Sequence, residues 1–249
     1  MTDPDSTDWR KEAIPGLSVV HAGTEREAAA RQFADQGIVR LTDIFDETGL
    51  RRIQEEVAEH IRTEVPRLDR DVYRDPDGTT VRVVNNLQRY RPYFARLLSD
   101  DALLDLVESI TGWTPLPFYA EYFAKVPGGA VANPHQERAF EYVDPPQYIH
   151  LWIALEDITP DQGPLRFWLG SHKQGVLPHT ERDFSGMQYI PDDVLEQHGF
   201  PVRAGVGSAG DTFVLDSGTI HASSLNTGSR PRPSLVLAYR GAGTELRTA

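Results

Sequence analysis

Apolar residues along the first half of the chain recur at helical spacing. Thr24 to Gln36 is Ala-rich and runs into Gly37, a natural stop, which predicts a helix. Ile38 to Ile44 alternates apolar and polar in part and predicts a strand. From Asp46 and Glu47 to about Val65, the residues Leu50, Ile53, Val57 and Ile61 fall three or four apart. That spacing places one apolar stripe on a long helix, which Pro66 stops. Asp75-Pro76-Asp77-Gly78 is a turn signature, and Thr79–Val84 is a short β-rich run. Two more helical stretches follow at Pro92–Ser99 and Asp101–Ile110, the second closing at Gly112.

Beyond Gly112 the period changes. Strand-like runs occupy Leu116–Lys125, Tyr148–Leu155, Leu165–Leu169, Thr212–Leu215 and Ser234–Tyr239, separated by Gly/Pro turns. A polar insertion near Thr180–His198 interrupts them, with a short helix expected after Pro191. Many short strands with frequent turns predict a barrel or a double-sheet jelly roll. No Gly/Ser or Pro-repeat linker separates helices from strands, and no internal repeat occurs. The expectation is therefore one mainly β domain with flanking helices over residues 1–249: a loose tail at 1–15, a mostly helical layer at 16–112 and a jelly-roll core at 113–241.

Composition narrows the chemistry. Acids outnumber bases 37 to 25, a formal charge of −12, so the chain repels phosphate backbones and no nucleic-acid partner is expected. With 39% apolar residues a real core is available, which excludes wholesale disorder. There is no cysteine, hence no disulfide, no thiolate ligand and no Cys nucleophile, and zinc or iron–sulfur sites built on Cys are excluded. The polar, acidic start lacks the pattern of a signal peptide, and no run approaches the length of a transmembrane helix. The expectation is a cytoplasmic protein with no membrane partner.

Two histidines sit in informative places. His135 lies in Asn133-Pro134-His135-Gln136-Glu137. On a strand, His135 and Glu137 project to one side while Gln136 points away. His221 follows a strand-like run and the turn segment Asp216-Ser217-Gly218-Thr219-Ile220. Brought beside His135, it would complete two imidazoles and one carboxylate, the facial triad of non-haem Fe(II) oxygenases, which leaves coordination sites open. His-x-Glu alone is a weak signal and is commonly a surface pair, so its context decides. Arg232 enters a strand eleven positions after His221. If antiparallel strands carry the two, the guanidinium points into the same cavity and can grip the distal carboxylate of a dicarboxylate, with Ser223 adding a hydroxyl. A lone Arg230 or Arg232 would instead be a solvated turn residue. His172 reads as a structural turn residue and His150 as facing core or pocket, whereas His21, His60, His179 and His198 read as solvated. Phe140 and Tyr142 are candidates for a substrate wall or for plain core. Asn85, Asn86, Gln88 and Arg89 either reach substrate from the helical layer or cap a loop.

The C-terminal half resembles the phytanoyl-CoA dioxygenase family of Fe(II)/2-oxoglutarate-dependent oxygenases. Three blocks carry the likeness: Pro134-His135-Gln136-Glu137; Trp152 to Asp157 through Gly163-Pro164 to Gly170-Ser171-His172; and Gly210-Asp211 through His221-Ala222-Ser223 to Asn226 and Arg232. The resemblance implies a double-stranded β-helix, a cupin-like jelly roll. It implies His135, Glu137 and His221 as metal ligands and Arg232 and Ser223 on the C5 carboxylate of 2-oxoglutarate. Gln136 and Trp152 fall on positions that line the cosubstrate pocket. Glu137 departs from the family's usual Asp by one methylene, and a carboxylate there argues against halogenation. The implied activity is hydroxylation of a small molecule with Fe(II), 2-oxoglutarate and O₂, giving succinate and CO₂. The alternatives are a cupin-type metal enzyme that uses no 2-oxoglutarate and a non-catalytic metabolite-binding jelly roll.

Overall fold

The structure is a computed structural model and describes residues 23–75, 77–140, 143–180 and 188–246. Helix α1 (Gly23–Gln36) and strand β1 (Ile38–Leu41) meet at Gly37. Its φ is +76°, and a Cβ there would lie 2.2 Å from Thr219 Oγ1 and 2.4 Å from His172 Nδ1, so only glycine fits. The closeness is useful: the Gly37 carbonyl accepts from the Asp216 N–H at 2.9 Å and the Thr219 hydroxyl at 2.8 Å. Helix α2 (Glu47–Thr63) starts on an Asp46 cap that accepts the Gly49 N–H at 2.8 Å. Strands β2 (Val72–Arg74) and β3 (Val81–Val84) pair as an antiparallel hairpin. Helices α3 (Leu87–Tyr90), α4 (Pro92–Leu98) and α5 (Asp101–Thr111) follow. Asp100 caps α5, and Gly112, at φ +76°, ends it.

The β region then runs β4 (Pro115–Lys125), β5 (Ala132–His135), β6 (Val143–Asp144), β7 (Tyr148–Ala154), β8 (Leu165–Trp168), helix α6 (Asp192–His198), β9 (Val202–Ala204), β10 (Thr212–Asp216), β11 (His221–Ser223), β12 (Arg232–Gly241) and β13 (Glu245–Leu246). The major sheet is ordered β1-β10-β7-β12-β4-β3-β2 and the minor sheet β5-β11-β8-β9, with β13-β6 as a small third sheet. All the pairings are antiparallel. This is the jelly roll expected from the strand pattern.

Alternation along the strands sorts the side chains. Leu235, Leu237 and Tyr239 of β12 and Ile149, Leu151 and Ile153 of β7 join the helices in the larger core. Val236 and Trp152 instead join Phe167 of the minor sheet in a smaller core between the sheets. Arg232, Ser234 and Ala238 share the face of Val236, and His150 that of Trp152, so polar groups come to the barrel interior by the same alternation. Strands β2 and β9 escaped the sequence reading because they lie at sheet edges and are largely exposed. Among the described residues no helix is long and apolar enough to cross a membrane.

His60 corrects one expectation. It reads as solvated in sequence but is fully buried, because it extends the α2 stripe of Ile53 and Val57 by three residues. Neither ring nitrogen has a partner. Burial, then the nearby Arg91 charge, holds its pKa below the ordinary value of 6.5. The neutral form is therefore the one that folds, and stability falls as pH drops below about 6.5, where the unfolded chain takes up a proton that the folded chain refuses. His60→Leu is expected to remove that dependence, up to about 1.4 kcal/mol per pH unit. It should also raise stability at neutral pH by about 1–3 kcal/mol, since a buried unpaired polar group is lost. Denaturant melts between pH 5 and 7 check both; a steeper acid slope in the variant would contradict them.

Candidate metal and cosubstrate site

The minor sheet brings the two histidines together. His221 of β11 pairs directly with His135 of β5, with ring centroids 4.3 Å apart. Each imidazole sets its Nδ1 against a backbone carbonyl two residues earlier: Asn133 O at 2.7 Å and Thr219 O at 3.1 Å. A carbonyl can only accept, so Nδ1 carries the proton in both rings and Nε2 is left as the donor atom to a metal. Glu137 does not lie on the strand as expected. β5 ends at His135, and Glu137 opens a 3₁₀ turn, Glu137–Ala139. That turn swings the carboxylate back so that Oε2 stands 3.8 Å from Nε2 of each histidine. The three ligand atoms lie within 4.8 Å of one another.

Electrostatics fit a cation here. Burial lowers the pKa of His135, and burial followed by the His135 charge takes His221 well below its ordinary value. Burial also raises Glu137, which His150 only partly opposes. Burial thus disfavours the charged form of each of the three groups. A divalent ion reverses that preference for Glu137 and accepts both free Nε2 lone pairs. Two neutral imidazoles and one carboxylate suit Fe(II) and leave room for further ligands.

A second group of buried polar residues lies on the major sheet. His221 and Arg232 are not carried by paired strands, as the sequence reading supposed: β11 belongs to the minor sheet and β12 to the major one. Arg232 is buried, and its Nε and Nη1 have no hydrogen-bond partner. Its guanidinium carbon lies 5.2 Å from the Trp152 ring centroid, a cation–π contact. Burial pushes Arg232 down to about 10, which still leaves it charged at neutral pH. Ser234, two residues on and on the same face, also has a buried hydroxyl without a partner. A desolvated cation with orphaned N–H groups is unstable unless an anion meets it. Ser223 is buried at the end of β11. Asn226 builds the turn between them, donating to Lys125 O at 2.9 Å and Arg230 O at 2.8 Å.

The other expected site residues fall as follows. Gln136 turns away from the metal ligands. Its amide donates to Gly175 O at 2.7 Å and Gly218 O at 2.6 Å and accepts from Leu177 N at 2.8 Å. Those bonds make it a brace for two loops. His179 is not solvated: its Nε2 accepts the Gln136 N–H at 3.3 Å, and its ring meets Phe140 at 6.0 Å. Phe140 in turn lies 5.8 Å from the His135 ring, beside the metal ligands. Tyr142 lies outside the described residues. Asn86 bonds Asp71 at 3.0 Å, and Gln88 accepts the Ala120 N–H at 2.9 Å, so both amides tie the helical layer to itself and to β4.

Sequence reasoning missed Lys125 and Ser234, and left His150 open between core and pocket. Lys125 pairs with Arg232 across β4 and β12 and donates to Ala130 O and Ser224 O, each at 2.8 Å. Burial and then the Arg232 charge push it down to about 7. His150 Nε2 lies 2.8 Å from the Tyr148 hydroxyl and 3.0 Å from that of Tyr119, which reaches over the small Ala238 between them. Period-two alternation from Arg232 would have flagged Ser234; nothing local marks Lys125.

The comparisons agree with this geometry. The family model described as phytanoyl-CoA dioxygenase matches residues 33–234. A phytanoyl-CoA dioxygenase of Oryza sativa subsp. japonica is 31% identical over 159 residues, 63% of this chain and 56% of that protein. The corresponding protein of Arabidopsis thaliana is matched over 55% of its length, so the chain spans little more than half of these plant relatives. An L-proline trans-4-hydroxylase of Streptomyces griseoviridis is 24% identical, with 84% of each chain covered. Among solved structures, EctD from S. alaskensis with 2-oxoglutarate and 5-hydroxyectoine superposes with a TM-score of 0.76 at 20% identity, covering 94% of this chain and 83% of that one.

Proposed function

The chain belongs to the phytanoyl-CoA dioxygenase family, and we propose that it is an Fe(II)/2-oxoglutarate-dependent dioxygenase that hydroxylates an unactivated C–H bond of a small molecule, releasing succinate and CO₂. The observation that supports this most is the pairing of a His–Glu–His cluster with a buried arginine whose Nε and Nη1 lack partners. His135, Glu137 and His221 would hold the iron, which when bound supplies the O₂ chemistry that no side chain can. Arg232 would take the distal carboxylate of 2-oxoglutarate, with Ser234 and Ser223 adding hydroxyl donors and Trp152 fixing the guanidinium plane. Lys125 lies beside it in the strand pairing, its amine held on Ala130 O and Ser224 O. A cupin-type enzyme without 2-oxoglutarate leaves the orphaned Arg232 unexplained.

Phe140, packed on His135, would wall the substrate side and keep it dry. The relative named as an L-proline hydroxylase and the similar fold solved with 5-hydroxyectoine favour a small metabolite as substrate. The test is iron-dependent conversion of 2-oxoglutarate to succinate, screened over small molecules for stimulation together with O₂ uptake. No iron-dependent succinate from any of them would favour a non-catalytic jelly roll. With the substrate in hand, Phe140→Ala is expected to leave iron and 2-oxoglutarate affinity nearly unchanged and to lower product formed per succinate several-fold, because a wetter pocket uncouples oxidation. An unchanged ratio would place the substrate elsewhere.

A further inference from the structure

Glu137 is gripped on both flanks by the segment that leads into His221. On one side the Gln136 amide donates to Gly218 O at 2.6 Å. On the other, the Arg138 backbone N–H donates to Ser217 O at 2.9 Å, and its Nη2 donates to Asp216 Oδ1 at 2.8 Å. The same Asp216 oxygen accepts the Gly218 N–H at 2.7 Å, so one carboxylate both closes its own turn and receives the arginine. Arg138 also reaches Pro146 O at 3.3 Å and Ser217 Oγ at 3.4 Å. The ion-paired side chains are only 18% and 17% exposed, where solvent screens a pair less than at an open surface. The ladder between β5 and β11 cannot do this work, because β5 ends at His135 and Glu137 lies beyond it.

We infer that Arg138, with Asp216 as its partner, is a positioning residue that sets the distance of the Glu137 backbone from the two imidazoles, and that this distance is matched to glutamate. The inference rests on the metal reading above. The carboxylate oxygen stands at the same 3.8 Å from both Nε2 atoms. Removing one methylene from a fixed backbone withdraws that oxygen by roughly 1.5 Å, one C–C bond. Metal–ligand distances tolerate only about 0.2 Å. An aspartate held by this bracket therefore falls short, although it offers the same carboxylate.

Co(II) alone, titrated into the whole chain, tests this, with the melting temperature of each metal-free variant measured alongside. Wild type is expected to bind one Co(II). Arg138→Ala and Asp216→Asn should each weaken binding about 10–100-fold, the range for lost outer-sphere partners, and Arg138→Lys should recover part of it. Glu137→Asp should weaken binding as well. Its added cost should be smaller in the Arg138→Ala background, because a released turn can move inward. Should Arg138→Ala fail to fold, Asp216→Asn takes its place as both the single variant and the background. Unchanged affinity in Asp216→Asn, Glu137→Asp binding as tightly as wild type, or fully additive losses would each overturn the inference. Failure of wild type itself to bind Co(II) would instead overturn the metal site, and this inference with it.

Discussion

His221→Ala is expected to lose Fe(II) binding and turnover together. The variant keeps one imidazole and one carboxylate, and burial already raises the Glu137 pKa toward the neutral acid. Two donors, one of them reluctant to ionise, hold a divalent ion poorly. The loss should exceed the about 10–100-fold cost of removing an outer-sphere partner. His135→Ala should behave alike, since the two rings are equivalent in geometry: each is pinned through Nδ1 and each faces the same carboxylate oxygen at 3.8 Å. Both variants should still fold, because each removes a desolvated imidazole held by one side-chain bond to the backbone. Anaerobic Fe(II) titration and succinate formation are the measurements. Full activity in either single variant would remove the triad from the reaction.

Arg232→Ala is expected to act on the cosubstrate alone. The apparent KM for 2-oxoglutarate should rise tens- to thousands-fold, from the about 2–5 kcal/mol that truncating one side of a buried charge pair costs. Iron affinity should hardly change, since Arg232 lies on the major sheet and the metal ligands lie on β5, β11 and the turn after β5. Arg230→Ala should do little, because Arg230 is exposed on the turn before β12. The opposite ranking of the two arginines would put the register of β12 two residues out.

Alternation and turn signals located the central strands closely: Tyr148–Leu155 was expected and β7 is Tyr148–Ala154. The burial that produces such a pattern is strong in the middle of the major sheet and weak in β2, at one edge of that sheet, and in β9, at an edge of the minor sheet, which is why those two left no trace. The candidate metal ligands were legible through the blocks that surround them, since His-x-Glu alone is a weak signal, yet the route of Glu137 was not. A strand reading placed it beside His135 by period two; the chain instead leaves the strand and returns the carboxylate through a 3₁₀ turn. Gln136 shows the opposite problem. Its expected direction, away from the ligands, was right by alternation, whereas its pocket role came from resemblance, and its amide is spent on loops 175–177 and 218. His60 and His179 were misjudged because a histidine's burial depends on what packs over it, from Tyr90 in one case and Phe140 in the other. Lys125 meets Arg232 only through strand pairing across more than a hundred residues, which no local pattern encodes.

The most direct measurement is an anaerobic titration of 2-oxoglutarate into the Fe(II)-loaded chain, repeated with metal-free protein and with Arg232→Ala. One-to-one binding that is tighter with iron and is lost in Arg232→Ala is the predicted result. Failure of the Fe(II)-loaded wild type to bind 2-oxoglutarate, or equal binding by Arg232→Ala, would contradict a shared metal and cosubstrate cavity.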